Sequence, residues 1–439
     1  MSASRAHNPF FMSLRLRVLL SAYACEPHKG SEPEVGWQWA LQMARFHDVT
    51  VLTQSKNQPV IERALETFPG DRPRPRFVYH ALPRWMFRLR DNAWGFRTYY
   101  FLWQRSARKI IERLHRKRPF DLMHHVTFAG FRYPTVIWGH GAPCIWGPVG
   151  GIESIPWPLL PWRHPASLIH EATRNIHNHL YTMRFNSLPG RARRSALILA
   201  TTREMQLALA RLGFAAEVMP TIGLNTGQMP YQPRRASQGP LKLLYVGNLL
   251  ALKGIDLSLE AFAASGADTT FTLIGTGSYL EAAKRLTAKL GLRNRVEFLG
   301  RLPREDVLKI YPDYDVFVFP SLHDTGGYAV IEAMFNELPV VCLDCGGPAV
   351  AVQLGCGVKV PLGPRAHVIS GLATALRSYA QDRPALLEHG RAAREAVLRH
   401  YDWDRKGEEM NQCYQRVVGQ KENSPHLVTA EDANRSQFE

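Results

Sequence analysis

Long apolar runs are missing from this 439-residue chain. None approaches the ~18 residues that a helix needs to cross a bilayer, so any membrane contact is expected to be peripheral. Acids are scarce beside bases: 54 Lys and Arg against 38 Asp and Glu leave a net charge of +16. That excess favours anionic partners, but its sign does not choose between phosphates, acidic lipid and nucleic acid. Helix-turn-helix, zinc-finger and RNA-binding aromatic motifs are absent, which sets nucleic acid aside. Cysteine is sparse too, with six irregularly placed residues that do not resemble a secreted disulfide framework. A reducing cytosol fits them. The single Cys-x-x-Cys, Cys342 to Cys345, starts in the apolar run Pro339 to Leu343 and has no second Cys or His pair. It reads as buried strand thiols rather than zinc ligands. Residues Arg15 to Cys25 imitate a leader with a short apolar core, yet Tyr23 stands where a small residue is wanted. A buried first strand followed by a loop accounts for them better.

The apolar residues that are present come in short runs. Val18–Ala22, Val49–Leu52, Phe77–His80, Asp121–His124, Cys144–Trp146 and Ala196–Ala200 alternate with helical segments. Strands alternating with helices predict a doubly wound parallel sheet. Pro220 to Pro240 is rich in Gly, Pro, Asn and Gln and has no apolar period. The pattern then restarts with Leu241–Val246, Phe271–Ile274, Val296–Leu299, Val316–Phe319 and Pro339–Leu343. Two Rossmann-like domains are expected, at 14–222 and 241–402, joined by a linker at 223–240. A helix at 403–418 would cross back to the first domain, and a disordered tail would follow at 421–439.

Paired domains of this type leave a cleft at their carboxyl strand ends, where backbone N–H groups can meet a diphosphate. Several loops could serve it. Lys29-Gly30-Ser31-Glu32-Pro33-Glu34 follows the first strand, with Gly30 permitting close approach and Ser31 and Glu34 at capping-box spacing. Taken alone, it is also an ordinary strand-to-helix turn. In the second half, Gly247-Asn248 leads to Lys253-Gly254 after a strand, and Gly275-Thr-Gly277 follows the next one. Asp324-Thr-Gly326-Gly327 precedes Glu332, placing two carboxylates eight residues apart. If helical throughout, that spacing spans ~12 Å, enough to reach both ends of a nucleotide-sugar. Asp324 would otherwise be a simple helix cap.

The region from Leu241 to Pro348 resembles the donor domain of family 4 retaining glycosyltransferases, a family of GT-B fold. Its pattern is strand-Gly-Arg-x4-Lys-Gly, then Glu-x7-Glu, then Pro-Val-Val and Gly-Gly; here these read Gly247 to Gly254, Asp324 to Glu332, Pro339 to Val341 and Gly346-Gly347. The resemblance implies that Lys253 neutralises the donor diphosphate as the sugar leaves. It implies that Glu332 accepts hydrogen bonds from ribose, and that Gly326 and Gly327 bring backbone N–H groups to sugar and phosphate. Gly30 and Ser31 after the first strand, and Gly247, Asn248 and Gly275 in the glycine loops of the second half, are expected to join the donor site. Asp324 is assigned to the sugar, and His124, of Asp121-Leu-Met-His124-His125, to the reaction centre in preference to His125. Trp146-Gly-Pro-Val-Gly150-Gly151 resembles a further loop bordering the cleft. Two positions depart from the pattern. Asn248 replaces an arginine, and Asp324 replaces a glutamate, as in a subgroup with Asp-Ser/Thr-Gly-Gly in place of Glu-Gly-Phe-Gly.

The implied activity is retaining transfer of a sugar from a UDP- or GDP-sugar to a glycan or polyprenyl-linked acceptor, in bacterial cell-surface polysaccharide synthesis. No cofactor or metal is expected: Asp313-Tyr-Asp315 imitates a metal-binding Asp-x-Asp but stands at the family's position just before a strand. Two rival readings share the architecture, a sugar-nucleotide epimerase and a non-catalytic subunit of a membrane complex. Residues 84–118 carry eleven Lys or Arg against Asp91 and Glu112, interleaved with eight aromatics that include Trp85, Trp94 and Trp103. A solvated helix with core aromatics would look the same. Cations beside aromatics also suit an anionic bilayer, which places the chain in the cytoplasm, peripheral at the inner face of the plasma membrane.

Overall fold

The structure, a computed structural model, describes residues 14–91, 93–133, 135–162, 165–183, 188–233 and 239–423. Two all-parallel sheets organise it. The first contains β1 (Arg17–Ala22), β2 (Asp48–Gln54), β3 (Arg76–His80), β4 (Leu122–Thr127), β5 (Cys144–Val149), β6 (Leu197–Ala200) and β7 (Glu217–Val218), in the order β3-β2-β1-β4-β5-β6-β7. The second contains β8 (Leu241–Val246), β9 (Thr269–Ile274), β10 (Val296–Gly300), β11 (Val316–Phe319), β12 (Val340–Leu343) and β13 (Gly357–Val360), ordered β10-β9-β8-β11-β12-β13. The expected pair of doubly wound domains is therefore present. Helices cover both faces of each sheet, so the central strands are buried along their whole length, the histidines of β4 included.

In each sheet the strand order reverses once. Val18 of β1 pairs with both Val49 and Leu122, and Leu243 of β8 with both Phe271 and Val316. The loops after β1 and β4, and after β8 and β11, open at these reversals, where α/β sheets receive ligands. The chain passes between the domains twice, and the two passages lie side by side. Leu224 N–H donates to the Tyr401 carbonyl at 2.7 Å, and Trp403 N–H donates back to Leu224 at 3.0 Å. Beneath this bridge, Lys406 Nζ donates to the Pro220 carbonyl at 2.6 Å and lies over the rings of Trp39 and Trp403.

The returning helix, Trp403–Asn423, packs on the first domain. Trp403 meets Trp39 edge to face, and Arg416 pairs with Glu217 at 2.7 Å. This helix runs beyond the expected 418 and takes up 421–423, which were expected to be disordered; the rest of the expected tail, 424–439, lies outside the described residues. All six cysteines are free and buried. Among the described residues, no helix is long and apolar enough to cross a membrane.

Candidate active site

A cleft of about 1290 Å³ lies between the two sheets and is lined from both domains. Gly30, Ser31, Glu32 and Glu34 line it from the loop and helix after β1, and Phe128 to Gly130 and Tyr133 from the segment after β4. Gly150 and Gly151 border it after β5, while Ile222 to Asn225 and Trp403 form its hinge. The second domain contributes Lys253, Arg304, His323 to Ala329 and Glu332.

Lys253 ends the loop after β8. Its neighbour Gly254 has φ +65°, and a Cβ there would collide with the Pro320 carbonyl, so the β8 and β11 loops can meet only at glycine. Lys253 Nζ thereby reaches Asp324 Oδ2 at 2.7 Å and the His323 carbonyl at 3.3 Å, and both side chains of the ion pair remain partly exposed. Asp324 Oδ1 accepts the Gly326 N–H at 3.0 Å. The aspartate thus spans the turn that presents Gly326 and Gly327, and the helix starts only at Tyr328. Gly346 closes on the same turn from the β12 side with φ +66°, a Cβ there striking the Asp324 carbonyl, and its N–H donates across the domain boundary to Glu204 at 2.8 Å.

Glu332 lies one helical turn beyond Tyr328, at the other end of this group. Burial pushes its carboxyl up, and Arg304 and Tyr311 oppose that shift. Arg304 Nε and Nη2 both donate to Oε1, at 2.8 and 2.7 Å, while the Tyr311 hydroxyl stands 3.4 Å from Oε2. Beside Lys253, the His323 imidazole is pushed down to about 3 by burial and by the Arg174 and Lys253 cations, so it is neutral near pH 7. Around the Asp324 turn the arrangement offers the Lys253 cation, backbone N–H groups and the Asp324 carboxylate, with the Glu332–Arg304 pair at the far end, which suits a phosphate-containing molecule with hydroxyl-rich ends.

Of the residues expected from sequence, Gly30, Ser31, Lys253, Asp324, Gly326, Gly327 and Glu332 share the cleft lining. Gly247, Asn248 and Gly275 do not. Asn248 is exposed, and Gly275 packs against the Gly247 carbonyl. His124 requires correction: it is fully buried inside β4, with Nδ1 at 2.7 Å from the Tyr414 hydroxyl and Nε2 at 2.7 Å from the Gly147 carbonyl. His125 is buried too, beside Ser21 and Tyr100. β4 continues to Thr127, so the residues that reach the cleft are Phe128 and its successors. The capping box after β1 also fails to form. Gly30 is the cap, Ser31 is the first helical residue with φ +53°, and Glu34 accepts from Gln38 instead. Asp315 serves the fold, its Oδ2 accepting Lys242 N–H at 2.7 Å and facing Arg383. Sequence reasoning missed Arg304, Glu32, His323 and Tyr328, none of which belongs to a recognisable spacing.

Residues 232–384 match the family described as Glycosyl transferases group 1. Glycogen synthase of Mycobacterium tuberculosis is 29% identical over 215 residues, 48% of this chain and 51% of that relative. The match therefore spans about half the length of the curated relative. Two solved GT-B structures share the fold across most of the chain. Sucrose-phosphate synthase from Thermosynechococcus elongatus superposes with TM-score 0.60 at 18% identity, covering 92% of this chain and 100% of its own. Anabaena HepE, solved in complex with UDP and glucose, gives 0.55 at 15% identity, covering 91% and 99%.

Proposed function

We propose that this chain, a GT-B protein whose second domain is of the group 1 glycosyltransferase type, transfers a sugar from a nucleotide-sugar to an acceptor held by its first domain. The observation that carries the reading is the Lys253–Asp324 ion pair on the Gly326-Gly327 turn, with Glu332 one turn into the following helix, all facing one interdomain cleft. Lys253 meets the diphosphate and stabilises the charge that develops as the glycosidic bond to phosphate breaks. With the Gly326 N–H held by Asp324, the turn presents Gly327 to the phosphates and the sugar, Asp324 contacts the sugar, and Glu332 takes the ribose. A UDP-sugar or a GDP-sugar fits these roles, and the HepE complex with UDP favours the uridine form. With the cation supplied by a side chain, no metal is needed for the leaving group. The anomeric configuration of the donor is retained.

The first domain supports an acceptor carried by a membrane, such as a polyprenyl-linked glycan of cell-surface polysaccharide synthesis. Helix Ala93–Lys117 turns Tyr99, Tyr100, Trp103 and Ile111 into the core and leaves Arg97, Phe101, Arg105, Lys109, Arg113 and Arg116 exposed along one stripe. Trp85 is 71% exposed just before it. Cations with projecting aromatics match an anionic bilayer at the cytoplasmic face. Incubation of the protein with labelled nucleotide-sugars and a lipid extract tests the reading. Label entering lipid or glycan supports it, whereas an epimerised nucleotide-sugar without transfer points to the epimerase instead.

A further inference from the structure

Two polar atoms in the cleft have no hydrogen-bond partner among the described residues, although both are shielded from solvent. They are the Tyr328 hydroxyl and Glu34 Oε2. Tyr328 opens the helix Tyr328–Phe335 in the second domain, immediately after Gly327, and Glu34 sits in the first turn of Ser31–Ala44 in the first domain. Both line the cleft. A buried polar group left unpaired is costly, and such groups in a concave site mark where a ligand completes the bonding. Glu34 Oε1 is already engaged by Gln38 Nε2 at 2.7 Å, so only Oε2 is available.

The surroundings restrict the ligand. Burial raises the Tyr328 phenol first, and the nearby Glu34 and Glu332 carboxylates raise it further against the opposing pull of Arg304, so the hydroxyl keeps its proton and can donate. The Arg304 cation is committed to Glu332 Oε1. A phosphate placed between Glu34 and Glu332 would meet like charge, and the cation that suits it, Lys253, belongs to the other end of the group. A neutral group that both gives and takes hydrogen bonds is what an acceptor-only carboxylate oxygen and a donating phenol complement together.

We propose that Glu34 and Tyr328, one from each domain, form a hydroxyl-binding pair that takes a vicinal diol of the nucleotide-sugar donor. The inference rests on the donor reading of the cleft and deepens it. One hydroxyl donates to Glu34 Oε2, and its neighbour accepts from the Tyr328 O–H. A donor held in this way contacts both domains before any acceptor enters, so donor binding draws the cleft together. The diol belongs either to the ribose or to the transferred sugar.

The test is calorimetric titration with UDP, GDP, UDP-glucose and GDP-mannose of the wild-type chain, Tyr328→Phe and Glu34→Gln. Each variant is expected to bind about tenfold more weakly, as loss of one buried hydrogen bond implies. Tyr328→Phe should meanwhile melt, without ligand, no lower than wild type, because it removes an unpaired hydroxyl; a purely structural role would lower both. Loss with a nucleoside diphosphate alone assigns the diol to the ribose, and loss with the sugar conjugate only assigns it to the sugar. Variants that bind every probe within twofold of wild type overturn the pair. If the wild-type chain binds none of the probes, the donor reading falls and this inference falls with it.

Discussion

Replacing Lys253 by alanine removes the one cation of the Asp324 turn, and the consequences for fold and for turnover separate cleanly. Asp324 keeps the Gly326 N–H and stays partly exposed, with 18% of its side chain accessible. Losing its ionic partner therefore costs about 1–3 kcal/mol of stability, a fraction of the ~5–15 kcal/mol typical of a folded protein. The chain should remain folded, with a somewhat lower melting temperature. At the leaving group the loss is larger. A unit charge 4 Å from a developing phosphate charge contributes about 4 kcal/mol at an effective dielectric near 20. Removing one such donor from a preorganised site typically lowers kcat about 10²- to 10³-fold. Initial rates of transfer over a range of donor concentrations, beside a thermal melt of the same sample, check both parts. Turnover within a few-fold of wild type would refute the assignment of Lys253 to the diphosphate. Loss of turnover together with the folded-state signal would show a structural role.

Three further outcomes follow from particular residues. Activity should survive excess EDTA, because Lys253 supplies the cation and Asp315 is engaged by Lys242 and Arg383; abolition by chelator with rescue by manganese would contradict this. Stability should fall as pH drops below about 6.5, because His124 and His125 are held neutral by burial and pushed down to about 3 and about 4. The unfolded chain takes up those protons first, so each histidine costs on the order of 1–2 kcal/mol by pH 5, and a chemical-denaturation midpoint that stays level from pH 7 to pH 5 would refute it. Changing Arg97, Arg105, Lys109 and Arg113 to serine should weaken flotation with anionic liposomes, each basic residue being worth about 1 kcal/mol at low salt; unchanged flotation would leave the stripe a solvated face.

The fold was legible because parallel strands covered on both faces are mostly apolar, so the sequence spells most of them as short apolar runs. What escaped were β7, only two residues long, and β13, an edge strand whose Lys359 faces outward. The same burial explains why His124 misled. A polar residue inside a doubly covered strand is hidden whichever way it points, and only residues past the strand end enter the cleft, here from Phe128 onward. Helix Ala93–Lys117 shows a related limit. Eight aromatics in 84–118 look alike in sequence, yet Tyr99, Tyr100 and Trp103 are core while Trp85, Phe87 and Phe101 are exposed. Lys253, Asp324 and Glu332 could be placed because the order of the motifs around them resembles a known donor domain, and the glycines of those motifs form the turns that hold them. Glu34 and Tyr328 could not, since their relation exists only across the assembled domains.

The fate of the donor's anomeric proton, followed by NMR in the presence of enzyme and acceptor extract, tests the central claim most directly. Sugar transfer at this cleft predicts that the donor signal is replaced by a glycoside signal of the same anomeric configuration, with wild-type enzyme and not with Lys253→Ala. An inverted glycoside would contradict retention. A donor signal that persists, or one converted to an epimeric nucleotide-sugar, would contradict the assignment as a transferase.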